Sequence, residues 1–260
     1  MGEEKQLSWL IDYLIEENQS YRDLVVPVSI DDKRALFRSL MNVRAPEPID
    51  EEFLVIQNSY LQKQLSAKQV FRLSDSSSYS QNLFLWQGDI TLLAVDGIVN
   101  AANNQLLGCF VPLHRCIDNA IHSAAGVQLR LACFDLMEEQ KEAEETGKVK
   151  VTFGYNLPAH YVFHTVGPIV SGVVTEKNEE QLAQCYESVL AKAQEMGLET
   201  LAFCCISTGE FRFPNDLAAK IAITTVQKFI KEKSSHLKVI FNVFNDTDKE
   251  LYHDYLQKIS

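Results

Sequence analysis

Two cysteines, a histidine and an aspartate fall within eleven positions in "GCFVPLHRCID", residues 108–118. Thiolates and imidazoles are the preferred ligands of zinc, four in a closed tetrahedron when the ion is structural, three plus an open position when it is catalytic. Cys109, His114 and Cys116, in the pattern C-x4-H-x-C, offer three from one short loop whose path Pro112 restricts. No fourth cysteine or histidine follows at once, and His122 falls on the next helix. Two thiolates and a neutral imidazole balance the charge of Zn²⁺, so the first expectation is an open ion facing a substrate. A zinc that only staples the loop and a loop without metal remain alternatives. A Cys109–Cys116 disulfide is unsuited to a reducing compartment. Asp118 either caps the helix that starts here or orients and deprotonates a water.

Other polar residues stand where short apolar runs end. In "WQGDIT" (86–91), Asp89 either caps a turn or accepts a bond from the exocyclic amine of a base. Asn100, Asn103 and Asn104 supply amides that can hold a sugar hydroxyl without adding charge. In "ISTGEFRFP" (206–214), Ser207, Thr208 and Gly209 can turn successive N–H groups toward an anion ahead of a helix that Asn215 would cap. The stretch lacks the G-x-x-x-x-G-K-[ST] pattern of a Walker loop. Phe211 and Phe213 alternate with charged residues, and either lies against a ribose or packs inside.

The elements that must position these residues divide at "SDSSSYSQN" (74–82). Before it the pattern is helical: Leu7, Leu10, Ile11 and Leu14, then Leu36, Leu40 and Val43 after a cap at Ser29 or Asp31, then a helix from Asp50 through Leu65. After it, apolar runs alternate with helices near 118, 127–145, 179–196, 215–232 and from Asp246 or Asp248. Such alternation predicts a mostly parallel sheet with both faces covered, whose ligands sit beyond the carboxyl ends of the strands. That places "GDIT", "NAAN", "STGEFRFP" and "NDTD" on one rim. The formal net charge of −11 opposes nucleic-acid binding, which rests on Lys and Arg neutralising phosphates. No apolar run approaches the roughly 20 residues of a membrane span. The N-terminus lacks the marks of a secretory signal, and six cysteines without one favour a cytoplasmic location.

Taken together, "GDIT…VDGIVNAANNQLLG", "CIDNAIHSAAG", "HTVGP" and "STGEFRFP" resemble the macrodomains, binders of ADP-ribose, over roughly residues 81–260. The resemblance implies a three-layer α/β/α fold with a mixed, mostly parallel sheet, here as residues 76–260 behind an N-terminal helical extension, residues 1–75. It implies that Asp89 and Ile90 hold the adenine, Asn103 the distal ribose, and Ser207, Thr208, Gly209, Glu210 and Phe211 the diphosphate, with Phe213 and Phe244 as lining residues. Hydrolytic macrodomains usually carry a short glycine-rich stretch before the aspartate. The longer "CFVPLHRC" looks like the zinc-containing bacterial members, which are protein-ADP-ribose hydrolases. By that resemblance Zn²⁺ on Cys109, His114 and Cys116 serves removal of mono-ADP-ribose from a modified, acidic side chain, with Asn103 and Asp118 as catalytic residues. The expected partners are ADP-ribose, a mono-ADP-ribosylated protein such as a lipoyl carrier, and an opposing sirtuin-type transferase. A non-catalytic reader of ADP-ribose and an O-acetyl-ADP-ribose deacetylase are the alternatives.

Overall fold

The computed structural model describes residues 1–258. Leu7, Leu10, Ile11 and Leu14 line one face of α1 (Glu3–Glu17) and are all buried. α2 (Ile30–Val43) turns Phe37, Leu40 and Met41 inward, and α3 (Glu51–Ser66) adds Phe53, Ile56 and Tyr60. Apolar residues at i, i+3 and i+4 make one stripe per helix, and the three stripes close a core of their own that Val127 completes. Ser29 caps α2 by accepting the Asp32 N–H at 3.1 Å. Asp50 precedes α3 without capping it and accepts instead from the Tyr13 hydroxyl at 3.0 Å.

Among the described residues one sheet follows, built from β1 (Ser77–Ser78), β2 (Leu83–Gln87), β3 (Gly97–Ala102), β4 (Val149–Phe153), β5 (Tyr161–Val166), β6 (Thr200–Phe203) and β7 (Lys238–Val243). Their order is β1-β2-β7-β6-β3-β5-β4. The five central strands are parallel, and the edge strands β1 and β4 are antiparallel. β3, β5 and β7 are buried at nearly every position, which requires cover on both faces. α4 (Ile117–Ala125), α5 (Val127–Gln140), α6 (Glu176–Glu195), α7 (Asn215–Lys233) and α8 (Asp246–Gln257) flank the sheet. The mostly parallel sheet expected from the alternating pattern is observed, and its antiparallel edge strands make it mixed, as the resemblance implied.

Three details differ from the sequence reading. Phe71 already exchanges backbone bonds with Leu92 and Ala94 and packs on Trp86 at 5.1 Å, so the chain joins the sheet unit a few residues before the serine-rich stretch. α5 stops at Gln140, where Lys141 turns left-handed, not at 145. Asn215 is the first residue of α7 instead of its cap, and its amide donates to Asp248 at 2.5 Å.

Candidate active site

Five parallel neighbours deliver their carboxyl ends to one rim, where α/β folds place ligands. β2 leads to Asp89, whose Oδ1 accepts from the Thr91 N–H and hydroxyl at 3.0 and 2.7 Å. Asp89 therefore caps a single 3-10 turn, and Ile90 beside it is buried. β6 leads to the turn 207–213. Ser207 is left-handed (φ 65°), and its buried hydroxyl has no hydrogen-bond partner among the described residues. Gly167, just beyond β5, lies so near that a Cβ there would stand 2.0 Å from Ser207 Oγ. Only glycine permits that approach, a role that "HTVGP" alone did not disclose. Thr208 Oγ1 donates back to the Cys205 carbonyl at 3.0 Å, while Gly209 and Glu210 are exposed. Phe211 packs beside Leu106 and Val166, bridging this turn to the loop after β3. Phe213 is 1 % exposed within the main core, so it supports the turn from beneath and lines no open surface. Phe244, beyond β7, is 77 % exposed and free to meet a ligand.

Below the rim lies a buried polar cluster. Asp118 is 5 % exposed. Its Oδ1 accepts from Asn100 Nδ2 at 2.8 Å, and its Oδ2 lies 3.5 Å from Asn103 Nδ2. Asn103 also donates to the Gly108 carbonyl and accepts from the Gln105 N–H, which fixes its amide. Burial raises the Asp118 pKa to about 6, against the opposing pull of Asn100 and Arg130. Asn100 Nδ2 lies 3.2 Å from His164 Nδ1, and the other ring nitrogen of His164 is 2.9 Å from Thr152 Oγ1. Burial holds His164 neutral, its pKa down at about 3. His122 Nε2 comes within 3.5 Å of Asp118, but burial, then His164 and Arg130, push its pKa well down, so this is a contact of a neutral ring and not an ion pair. His122, Cys133 and His164 converge within 4.8 Å, yet both nitrogens of His164 already face protein partners. His164 escaped the sequence reading, where the one available signal was a histidine inside an otherwise apolar strand, and His122 was placed on the helix without a role.

The loop between β3 and α4 carries the third group. Cys109 Sγ, His114 and Cys116 Sγ bring one ligand atom each within 4.8 Å of one another. Gly108 starts the loop at φ 80° against the His122 ring, where a Cβ would come within 2.9 Å. Cys116, not Asp118, is the N-cap of α4, accepting the Asn119 N–H at 3.4 Å. Sulfur at a helix N-terminus is placed where partial positive charge favours a thiolate. Without a cation, burial foremost and then Cys109 push the Cys116 thiol up to about 12. His114 Nδ1 is buried without a partner among the described residues, and its Nε2 lies 3.6 Å from Glu210 of the 207–213 turn. An orphaned imidazole nitrogen beside two converging thiols has the donor chemistry of a zinc site.

The Macro domain pattern matches residues 99–222, from β3 into α7. A protein-ADP-ribose hydrolase of Treponema medium is 46 % identical over 97 % of this chain and 98 % of its own length. The chain belongs to the macrodomain family. The alignment runs almost end to end, so it takes in the residues of the macrodomain's N-terminal helices as well. A probable bifunctional ADP-ribose hydrolase/ADP-ribosyltransferase of Fusarium oxysporum f. sp. cubense is 40 % identical over 96 % of this chain, which spans 47 % of that longer protein. The crystal structure of a Trypanosoma brucei macrodomain in complex with ADP-ribose superposes with a TM-score of 0.65 at 28 % identity, over 84 % of this chain and 94 % of the other.

Proposed function

We propose that this macrodomain hydrolyses the bond between C1″ of the distal ribose of ADP-ribose and a side chain of a modified protein. One observation carries the reading: three zinc-type ligands converge close in the chain to Asn103 and to the buried Asp118, just below the ligand rim. The near full-length identity to a protein-ADP-ribose hydrolase supports the same reaction class. Water adds at C1″, the side chain leaves, and free ADP-ribose is the second product. Asp89 and Ile90 would take the adenine, Ser207 to Phe211 the diphosphate, and Phe244 the exposed side of the nucleotide. Binding energy from these remote groups places the anomeric carbon.

Asn103, with its amide fixed by the Gly108 carbonyl and the Gln105 N–H, would hold the distal ribose. Asp118 would orient a water and accept its proton, a task for which a carboxyl with a pKa near 6 is ionised at neutral pH. Cys109, His114 and Cys116 would hold Zn²⁺, which when bound supplies Lewis acidity to the pocket. An acidic side chain is the preferred leaving group. It departs as a carboxylate and needs no proton, and the buried cluster offers amides, two neutral imidazoles and one carboxylate instead of a strong acid. The Fusarium relative, whose name joins the two activities, supports an opposing ADP-ribosyltransferase as partner. A sirtuin-type transferase acting on a lipoyl carrier stays our proposal for that pair, and the six free thiols support a reducing cytoplasm as its setting.

The test incubates a protein mono-ADP-ribosylated on Asp or Glu with the wild type and with Cys116→Ala, and follows released ADP-ribose. Release by the wild type alone supports the reading. Release by neither, with ADP-ribose still bound, would leave a reader, and turnover of O-acetyl-ADP-ribose alone would leave a deacetylase.

A further inference from the structure

We infer that helix α2 is a working part of the catalytic loop, and that Arg38 and Asn42, backed by Arg130, are positioning residues for the three metal ligands. The inference rests on reading that loop as the metal site, and extends it to a unit that the Macro domain match does not include. Residues 103–116 form no regular helix or strand, so the loop's shape must come from outside. Leu113 is left-handed at φ 55°, a conformation a branched side chain adopts only when held there. Its N–H donates to Asn42 Oδ1 at 3.0 Å, and Asn42 Nδ2 donates to Ser123 of α4 at 2.9 Å. Arg38 Nη2 donates to the carbonyl of the ligand His114 at 3.4 Å and to Asn119 Oδ1 at 2.7 Å. Asn119 in turn donates to the Val111 carbonyl at 3.0 Å.

Arg130 closes the other end. Its Nε donates to the Leu107 carbonyl at 2.6 Å and its guanidinium lies 4.2 Å over the Phe110 ring. Its Nη1 donates to the Met41 and Arg44 carbonyls at the end of α2, at 2.9 and 2.6 Å. Anchors at 107, 110, 111, 113 and 114 thus bracket Cys109 and His114, and all of them lead back to α2. Asn42, Asn119 and Arg130 are buried, so the bonds these three make lie where a stranded partner is costly. Beyond α2 itself these contacts go to the loop and to α4, not to the sheet. That pattern is expected of a brace that orders ligands before the ion arrives, which raises affinity because the ordering cost is already met.

The experiment uses the protein at its full 260 residues: wild type, Arg38→Ala, the milder Arg38→Lys, Asn42→Ala, and Lys33→Ala as a control on the same helix, whose ammonium bonds Glu4 and Ser8 of α1. Zinc affinity is measured by competition with a chromophoric chelator. Alkylation of Cys109 and Cys116 is followed by mass spectrometry on metal-stripped protein, and ADP-ribose affinity by calorimetry. Arg38→Ala and Asn42→Ala should weaken zinc roughly tenfold each, the scale set by stranding one buried hydrogen-bonding group. Alkylation of Cys116 should accelerate, ADP-ribose affinity should hold, kcat should recover in excess zinc with KM unchanged, and Arg38→Lys should lie between. Zinc affinity and alkylation equal to wild type in both alanine variants, or equal changes in Lys33→Ala, would overturn the inference. A wild type that binds no zinc would instead overturn the metal assignment, and the alkylation rates would then decide the bracing claim alone.

Discussion

Replacing Asp118 by asparagine should make the protein more stable while ending its turnover. The carboxyl is 5 % exposed, and burial raises its pKa from 3.8 to about 6. The folded chain therefore binds this proton more tightly than the unfolded chain, and stability from this group falls as pH rises from about 4 through about 6. At 1.36 kcal/mol per pH unit, the ionised carboxylate costs the fold on the order of 3 kcal/mol at neutral pH. Asparagine keeps the shape and still accepts from Asn100 at the Oδ1 position, and its new N–H₂ at the Oδ2 position forgoes only the long 3.5 Å contact with Asn103, whose amide already donates to the Gly108 carbonyl. Urea titrations of metal-stripped wild type and Asp118→Asn across this pH range isolate the effect, because every other titrating group is common to both. The variant's advantage should be smallest near pH 4 and grow by roughly 2–3 kcal/mol toward neutrality. A difference that stays flat with pH would show that burial leaves the carboxyl unperturbed. A difference that shrinks as pH rises would show its partners favour the anion over water, and either result refutes the reasoning. Loss of turnover alongside gained stability is the usual cost of a buried functional charge.

Gly167→Ala should weaken ADP-ribose binding by displacing Ser207, whose Oγ would lie 2.0 Å from the new methyl; calorimetry should record a loss of about 1–3 kcal/mol, and unchanged affinity would remove Ser207 from the ligand site. The two phenylalanines separate by location. Phe213→Ala should cost about 3–5 kcal/mol of stability in a denaturant titration, as for a buried ring. Phe244→Ala should leave stability within about 0.5 kcal/mol and lower ADP-ribose affinity instead.

Spacing made the rim readable. Apolar strands alternating with helices fixed a parallel sheet, and a parallel sheet sends Asp89, Asn103, Ser207 and Phe244 to one side. The convergence of Cys109, His114 and Cys116 was readable because they are near neighbours in the chain, and short closures bring near neighbours together. What failed depended on depth or on distance. Phe211 and Phe213 look alike in sequence, yet only the fold buries Phe213 completely. One of the two readings of Asp118 was the helix cap, but the cap of α4 lies two residues earlier, at Cys116. Asn42 meets Leu113 across 71 residues, and Arg38 meets Asn119 across 81. Nothing in a local pattern announces such pairs, which is why residues 1–75 read only as a helical extension.

Metal content and turnover, measured on one preparation, test the central claim most directly. Purified wild type should contain one zinc per chain; stringent chelation should abolish release of ADP-ribose from a mono-ADP-ribosylated protein while ADP-ribose binding persists, and added zinc should restore the release. Full activity in protein shown to be metal-free would contradict the account.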